Sequence, residues 1–294
     1  MSYQYKHALH TWMFGGLPLE KIAGHLSSID FCADLSIQYH GNSTPENIIA
    51  SHQKCSIFRD VEIPVCTAMF TDSKLNLSDS DPVLRNNAIC FSKRCIEAAA
   101  CVGADRLLVS PSGITTGHRY SRSREVDWNT AVESLQEIGE FAHKYGIRLM
   151  IEPINRYRVA LVHTVAEALR MADETHLDNI GVVPDIFHMC MEETGGISSA
   201  IRSAGTRLLC LHIGSNTRSI PGTDSFNWFS VLQALHEIHY EGVLSYEPVK
   251  LYFDERRVET DSQYCKAFLK ELRRGKEYLD TLAEEIPGNR SASQ

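Results

Sequence analysis

Two Glu-Pro pairs, each standing where a short apolar run stops, constrain the fold of this chain more than any other feature. The first closes Gly146-Ile-Arg-Leu-Met-Ile-Glu152-Pro153 and the second closes Gly242-Val-Leu-Ser-Tyr-Glu247-Pro248. Between them come Val182-Val-Pro-Asp185-Ile-Phe-His188 and Leu208-Leu-Cys-Leu-His212-Ile-Gly214. Glu152, Asp185, His212 and Glu247 are therefore 33, 27 and 35 residues apart. About 30 residues is the length of one strand with its crossover helix. Each of the four then ends its own parallel strand, all on one rim. Proline after each glutamate biases that residue toward extended backbone and stops the strand there, which leaves the carboxylate at the rim.

Short apolar segments alternate with helical periodicity along the whole chain. Strands are expected at residues 5–13, 33–38, 63–70, 106–110, 148–152, 181–185, 208–213 and 242–247, punctuated by Gly and Pro as buried parallel strands are. Across residues 227–240, Trp228, Val231, Leu232, Leu235 and Ile238 recur on one helical face. Thr44 before Pro45, Asp127 before Trp128, and Thr164 all have the look of helix N-caps. Tyr264, Phe268, Leu269, Leu272 and Tyr278 read as core positions of a C-terminal helix. Eight strands alternating with about eight helices predict a single-domain (β/α)8 barrel over residues 1–285, with its site at the C-terminal ends of strands 5–8. Residues 286–294 are expected to be a flexible tail. A Rossmann sheet is disfavoured, since Trp12-Met-Phe-Gly-Gly offers only a weak glycine pair in place of its phosphate turn. The polar stretch 112–124 reads as a long loop over the pocket.

Composition narrows the function classes. With 43% hydrophobic and 22% charged residues, the 294-residue chain can build a sizeable core. A net charge of −8 argues against a nucleic-acid footprint. The nine cysteines are odd in number and contain no C-x-x-C pair, so neither a disulfide framework nor a zinc knuckle is indicated, and a cytoplasmic location is expected. The N-terminus lacks a charged-then-apolar leader and no apolar run reaches spanning length, so no membrane role is expected.

Two glutamates, an aspartate and an imidazole make an oxygen-rich set. Such a set suits one hard or borderline divalent ion, Mn²⁺ first, with Mg²⁺ or Co²⁺ as alternatives, better than a structural zinc. Taken singly, each of these residues is more often a cap, a surface charge or a core histidine. Their one-unit spacing sets them apart.

The runs Glu152-Pro-Ile-Asn155-Arg156-Tyr157, Asp185-Ile-Phe187-His188-Met189, His212-Ile-Gly214-Ser-Asn-Thr-Arg218-Ser-Ile-Pro221-Gly222 and Tyr246-Glu247-Pro248 resemble the sugar isomerase/epimerase (xylose isomerase-like) barrel superfamily, and within it the ketose 3-epimerases. The resemblance is dense from about residue 147 to 248 and topological before that. It implies a metal-dependent epimerase that removes and returns a proton beside the ketone of a sugar, through an enediolate. Glu152 and Glu247 match the family's paired acid/base ligands, and His188 and Arg218 match residues that hold substrate oxygens. A homodimer or homotetramer is implied in the same way. One position departs from the pattern: Arg158 stands where these epimerases carry a glutamate. Arg158 would contact the substrate chain, and with Arg119, Arg122 and Arg124 of the 112–124 loop it would suit an anionic terminus.

Other functions stay open on the sequence. An aldose–ketose isomerase or an inosose-type dehydratase fits the same ligands, although isomerisation needs only one base. An endonuclease IV-like DNA-repair enzyme would want more clustered histidines, whereas His7, His10, His40, His52 and His118 are scattered. A non-catalytic sugar sensor would not need both glutamates.

Overall fold

The structure, a computed structural model, describes residues 5–55, 60–114, 120, 122–249 and 253–287. Eight strands form one parallel sheet: β1 (Lys6–His10), β2 (Cys32–Ile37), β3 (Val65–Ala68), β4 (Arg106–Val109), β5 (Arg148–Ile151), β6 (Ile180–Val182), β7 (Cys210–Ile213) and β8 (Val243–Tyr246). Their order is β6-β5-β4-β3-β2-β1-β8-β7, and parallel bridges Val182–Leu208 and Asp185–His212 link the two outer strands into a barrel. Around it run α1 (Leu19–Ser27), α2 (Pro45–Cys55), α3 (Pro82–Cys101), α4 (Arg124–His143), α5 (Val165–Glu174), α6 (Ile186–Glu192), α7 (Ile197–Ala204), α8 (Trp228–Glu237), α9 (Glu255–Thr260) and α10 (Ser262–Glu284). The expected (β/α)8 barrel is the observed fold, in one domain.

Every expected strand is present; the second is shifted by one residue at the same length and the other seven are shorter. The first stops at His10 because Thr11–Phe14 winds into a 3₁₀ turn closed by Gly15 at φ 61°. The third begins only at Val65 and the sixth ends at Val182, since Pro64 and Pro184 have no N–H for a ladder. Two of the three expected caps hold. Thr44 Oγ1 accepts from Asn47 N (3.3 Å) and Thr164 Oγ1 from Glu167 N (3.2 Å). The third does not: α4 starts earlier, capped by Ser123, and Asp127 lies buried inside the first turn. In α10, Phe268, Leu269 and Leu272 are buried as expected, but Tyr278 is exposed. Its ring covers Gly222, where an added Cβ would come within 2.8 Å of the ring.

The barrel interior is stratified. Ala8, Val65, Leu108, Met150, Val183, Cys210 and Val243, with Cys32 packed against them, make an apolar layer separate from the larger core between strands and helices. Each of its valine, leucine and methionine side chains contributes about 1.5–3 kcal/mol by burial. Strand residues alternate sides, so the next inward position lies two residues further on. Those positions are His10, Asp34, Thr67, Ser110, Glu152, Asp185, His212 and Ser245, all buried. Polar chemistry thus caps an apolar plug at the C-terminal rim.

Residues 288–294, which include most of the expected tail, lie outside the described residues, as do 115–119 and 121 of the 112–124 loop. Among the described residues, no helix is long and apolar enough to cross a membrane.

Candidate metal centre

β5 and β8 each end one residue before a glutamate, so Glu152 and Glu247 leave the ladder at the rim, as the proline after each requires. Asp185 caps α6, its side chain accepting from Phe187 N at 2.9 Å, and His212 sits within β7. One ligand atom from each of Glu152, Asp185, His212 and Glu247 lies within 4.8 Å of the other three. His212 turns Nδ1 toward Glu152 Oε1 at 3.1 Å.

Three carboxylates converging in a buried space repel one another unless positive charge is supplied. Asp185 shows the strain: burial, with Glu247 and Glu152 nearby, raises its carboxyl above the ordinary value despite Arg218 and His188. Burial alone would lower the His212 pKa, but Glu152, Asp34 and Glu247 overcome it and lift it to about 9. Burial also opposes ionisation of Glu247, yet Arg218, with His10, His212 and His188, pulls its carboxyl down to about 2. Asp185 Oδ2 is buried, and the Arg218 guanidinium beside it does not meet it with hydrogen-bond geometry. The donor set and this hunger for positive charge fit a divalent cation bound by oxygen and imidazole.

Arg218 and His188 stand against the four. Arg218 Nη1 lies 2.6 Å from Asp185 Oδ2 and 2.9 Å from Glu247 Oε2, and its guanidinium stacks 4.4 Å over the Phe187 ring. Burial disfavours the Arg218 charge, but Asp185, Glu247 and Glu152 hold it protonated. Its backbone is left-handed, at φ 55°, a conformation that costs a non-glycine residue about 1–2 kcal/mol and recurs at functional sites. His188, on α6, places Nδ1 2.8 Å from Asn155 Nδ2. Asn155 Oδ1 accepts from Tyr157 N at 3.1 Å, so its amide N–H faces the ring. Nε2 lies 3.8 Å from Asp185 Oδ2 and 3.4 Å from Arg218 Nη2, so N–H groups face both ring nitrogens.

The remaining sequence-derived residues divide. Arg156 is a clamp, its Nη2 2.6 Å from the buried Glu192 Oε2, and it ties the loop after β5 to α6. Arg158 is exposed on that loop, with no ion pair among the described residues. Arg124 and Arg122 are engaged elsewhere. Arg124 bonds Glu167 Oε1 at 2.6 Å, and Arg122 bonds Thr130 Oγ1 at 2.8 Å, near Asp127. Carboxylates at the starts of α4 and α5 claim these two guanidinium groups, which corrects their expected place over the pocket. Arg119 lies outside the described residues.

Two residues of this layer were not singled out from the sequence as site residues. His10, grouped there with scattered histidines, packs edge-on against the His212 ring at 4.6 Å and forms a second close group with His212 and Glu247. Asp34 lies beside both imidazoles. Their signal was the two-residue step inward from Ala8 and Cys32.

The profile of the xylose isomerase-like TIM barrel family matches residues 13–269. A D-psicose 3-epimerase of Enterocloster bolteae is 32% identical over 194 residues, covering 63% of this chain and 62% of the relative. A D-psicose 3-epimerase of Ruminiclostridium cellulolyticum is 31% identical over 182 residues, 59% of each. The matches thus span about three-fifths of these curated relatives' length. In three dimensions, the crystal structure of D-psicose 3-epimerase with D-tagatose from Clostridium cellulolyticum H10 superposes with a TM-score of 0.76 at 22% identity, covering 95% of this chain and 99% of that one. That likeness is one of fold. The chain belongs to the xylose isomerase-like TIM barrel family.

Proposed function

We propose that this protein is a divalent-metal-dependent epimerase of a ketose or ketose-like sugar, and that Glu152, Asp185, His212 and Glu247 hold its single ion, Mn²⁺ by preference. The observation that carries this reading is the convergence of those four ligand atoms within 4.8 Å under the Arg218 guanidinium. The names of the relatives, D-psicose 3-epimerases among them, support the reaction class.

A divalent ion bound there would make the carbon acid beside a carbonyl easier to ionise. The chain supplies the rest. Glu152 and Glu247 reach the same space from β5 and β8, so one carboxylate takes the proton from one face and the other returns it to the opposite face. Inversion requires two groups; a single base would return the proton to the face it came from. Arg218, held charged, and the adjacent His188 stabilise the oxygens on which negative charge develops. Asn155 and the Arg156–Glu192 clamp keep the loop after β5 in place. We assign Arg158, on that loop, to the far end of the substrate chain. We assign the protein a homo-oligomeric state on family resemblance alone.

The test is incubation of Mn²⁺-loaded protein with a panel of ketoses and ketose phosphates in D₂O, read by NMR. An epimerase gives a product inverted at one carbon and deuterated there. An aldose product would assign a one-base isomerase instead, and loss of water would assign a dehydratase.

A further inference from the structure

The carboxylate of Asp34 takes no part in the proton transfer just described. It stands on β2 with no exposed surface. Thr67 on β3 donates its hydroxyl hydrogen to Oδ1 at 2.8 Å, and Ser245 on β8 donates to Oδ2 at 2.8 Å. Two hydroxyls from strands on either side of β1 and β2 thus fix the plane of the group. A buried carboxylate is costly unless donors or positive charge face it. Here no lysine or arginine is paired with it among the described residues. Two imidazoles face it instead: His10 Nε2 is 3.4 Å from Oδ2 and His212 Nε2 is 3.9 Å from the same oxygen.

His212 is the ligand that this arrangement serves. Its Nδ1 faces Glu152 and the centre, and its Nε2 is buried with no hydrogen-bond partner among the described residues. Glu152 lies nearer, 3.1 Å from Nδ1, but once that carboxylate turns to a cation the charge of Asp34, 3.9 Å from Nε2, favours the tautomer with hydrogen on Nε2. That tautomer leaves the Nδ1 lone pair for a cation. Metal-binding histidines are commonly oriented by a carboxylate on the far side of the ring, which also makes the ligand nitrogen more basic. The edge-on contact of His10 at 4.6 Å and 85° restrains rotation of the His212 ring.

We propose that Asp34, held by Thr67 and Ser245, is a positioning residue of the metal centre that keeps the His212 hydrogen on Nε2 and its Nδ1 turned to the ion. The inference rests on the metal reading above and goes beyond it to a residue on the opposite half of the barrel. It is tested by calorimetric titration of the full-length, metal-free protein with Mn²⁺, comparing wild type with Asp34→Asn and Ser245→Ala. Melting temperatures of the metal-free proteins report folding, and the absorption spectrum of the Co²⁺ form reports ligand geometry. Asp34→Asn is expected to bind Mn²⁺ roughly 10–100-fold more weakly, with a changed Co²⁺ spectrum, and Ser245→Ala to show a smaller loss in the same direction. A folded Asp34→Asn with wild-type affinity and spectrum would overturn the inference and leave the metal reading intact. If Asp34→Asn does not fold, unchanged affinity in Ser245→Ala overturns it. Wild type that binds neither ion would overturn the metal reading and this inference together.

Discussion

Arg218 places Nη1 2.6 Å from Asp185 Oδ2, so a fully buried carboxylate of the centre is faced by a guanidinium from the loop after β7. The same nitrogen lies 2.9 Å from Glu247 Oε2. Arg218→Gln removes the charge at similar length, and kcat is expected to fall about 10²–10³-fold, the usual cost of losing one donor to developing negative charge. Lysine cannot span two oxygens as a planar fork does, so Arg218→Lys is expected to recover only part of the rate. Steady-state kinetics at saturating Mn²⁺ checks this, and near-normal kcat in Arg218→Gln would leave Arg218 a structural ion pair.

His7 carries a prediction about acid stability. It is buried on β1, Nδ1 2.9 Å from Tyr246 Oη and Nε2 2.9 Å from Asp280 Oδ1. Burial lowers its pKa from 6.5, outweighing Asp280. A histidine whose folded pKa lies below its unfolded value contributes stability that is present above 6.5 and lost as pH falls. Asp280, whose carboxyl is lowered overall from 3.8 by His7 and Lys276 against burial, loses its share further down the acid range. Urea unfolding is expected to show a His7 contribution up to about 1.4 kcal/mol smaller at pH 5.5 than at pH 7. His7→Gln should flatten that part of the slope, and an unchanged slope would contradict the assignment.

The proposed contact of Arg158 with the substrate's far end can be tested by charge. With Arg122 and Arg124 engaged by their own partners, Arg158 is the described arginine of the expected anion-binding group that has no ion pair of its own. A guanidinium there is expected to favour a ketose phosphate over the free ketose in kcat/KM, and Arg158→Glu to reverse that preference. Equal kcat/KM for the two in wild type would leave a neutral sugar as substrate.

Much of the barrel and the four converging residues were legible because each rests on local backbone chemistry. Proline after Glu152 and Glu247 ends a strand wherever it falls, and one unit of spacing brings Asp185 and His212 to the same rim. Arg218 and His188 came through family resemblance, since a loop arginine with φ 55° has no periodic signal. His10 and Asp34 were hidden for another reason. Their strands lie far from the ligand strands in sequence, and only closure of the barrel sets His10 beside Glu247, through the β1–β8 pairing of Leu9 with Tyr246. The loop arginines were misplaced because the partner of Arg124, Glu167, is 43 residues away, beyond the reach of any local pattern.

Two-base epimerisation is tested most directly by single-turnover and steady-state kinetics of Glu152→Gln and Glu247→Gln at saturating Mn²⁺, with metal content measured on the same samples. Glutamine keeps an oxygen that can contact the ion but takes up no proton near neutral pH. Each variant is predicted to keep bound metal and lose nearly all kcat. A metal-loaded variant of either residue with near-wild-type turnover would contradict proton transfer by both glutamates.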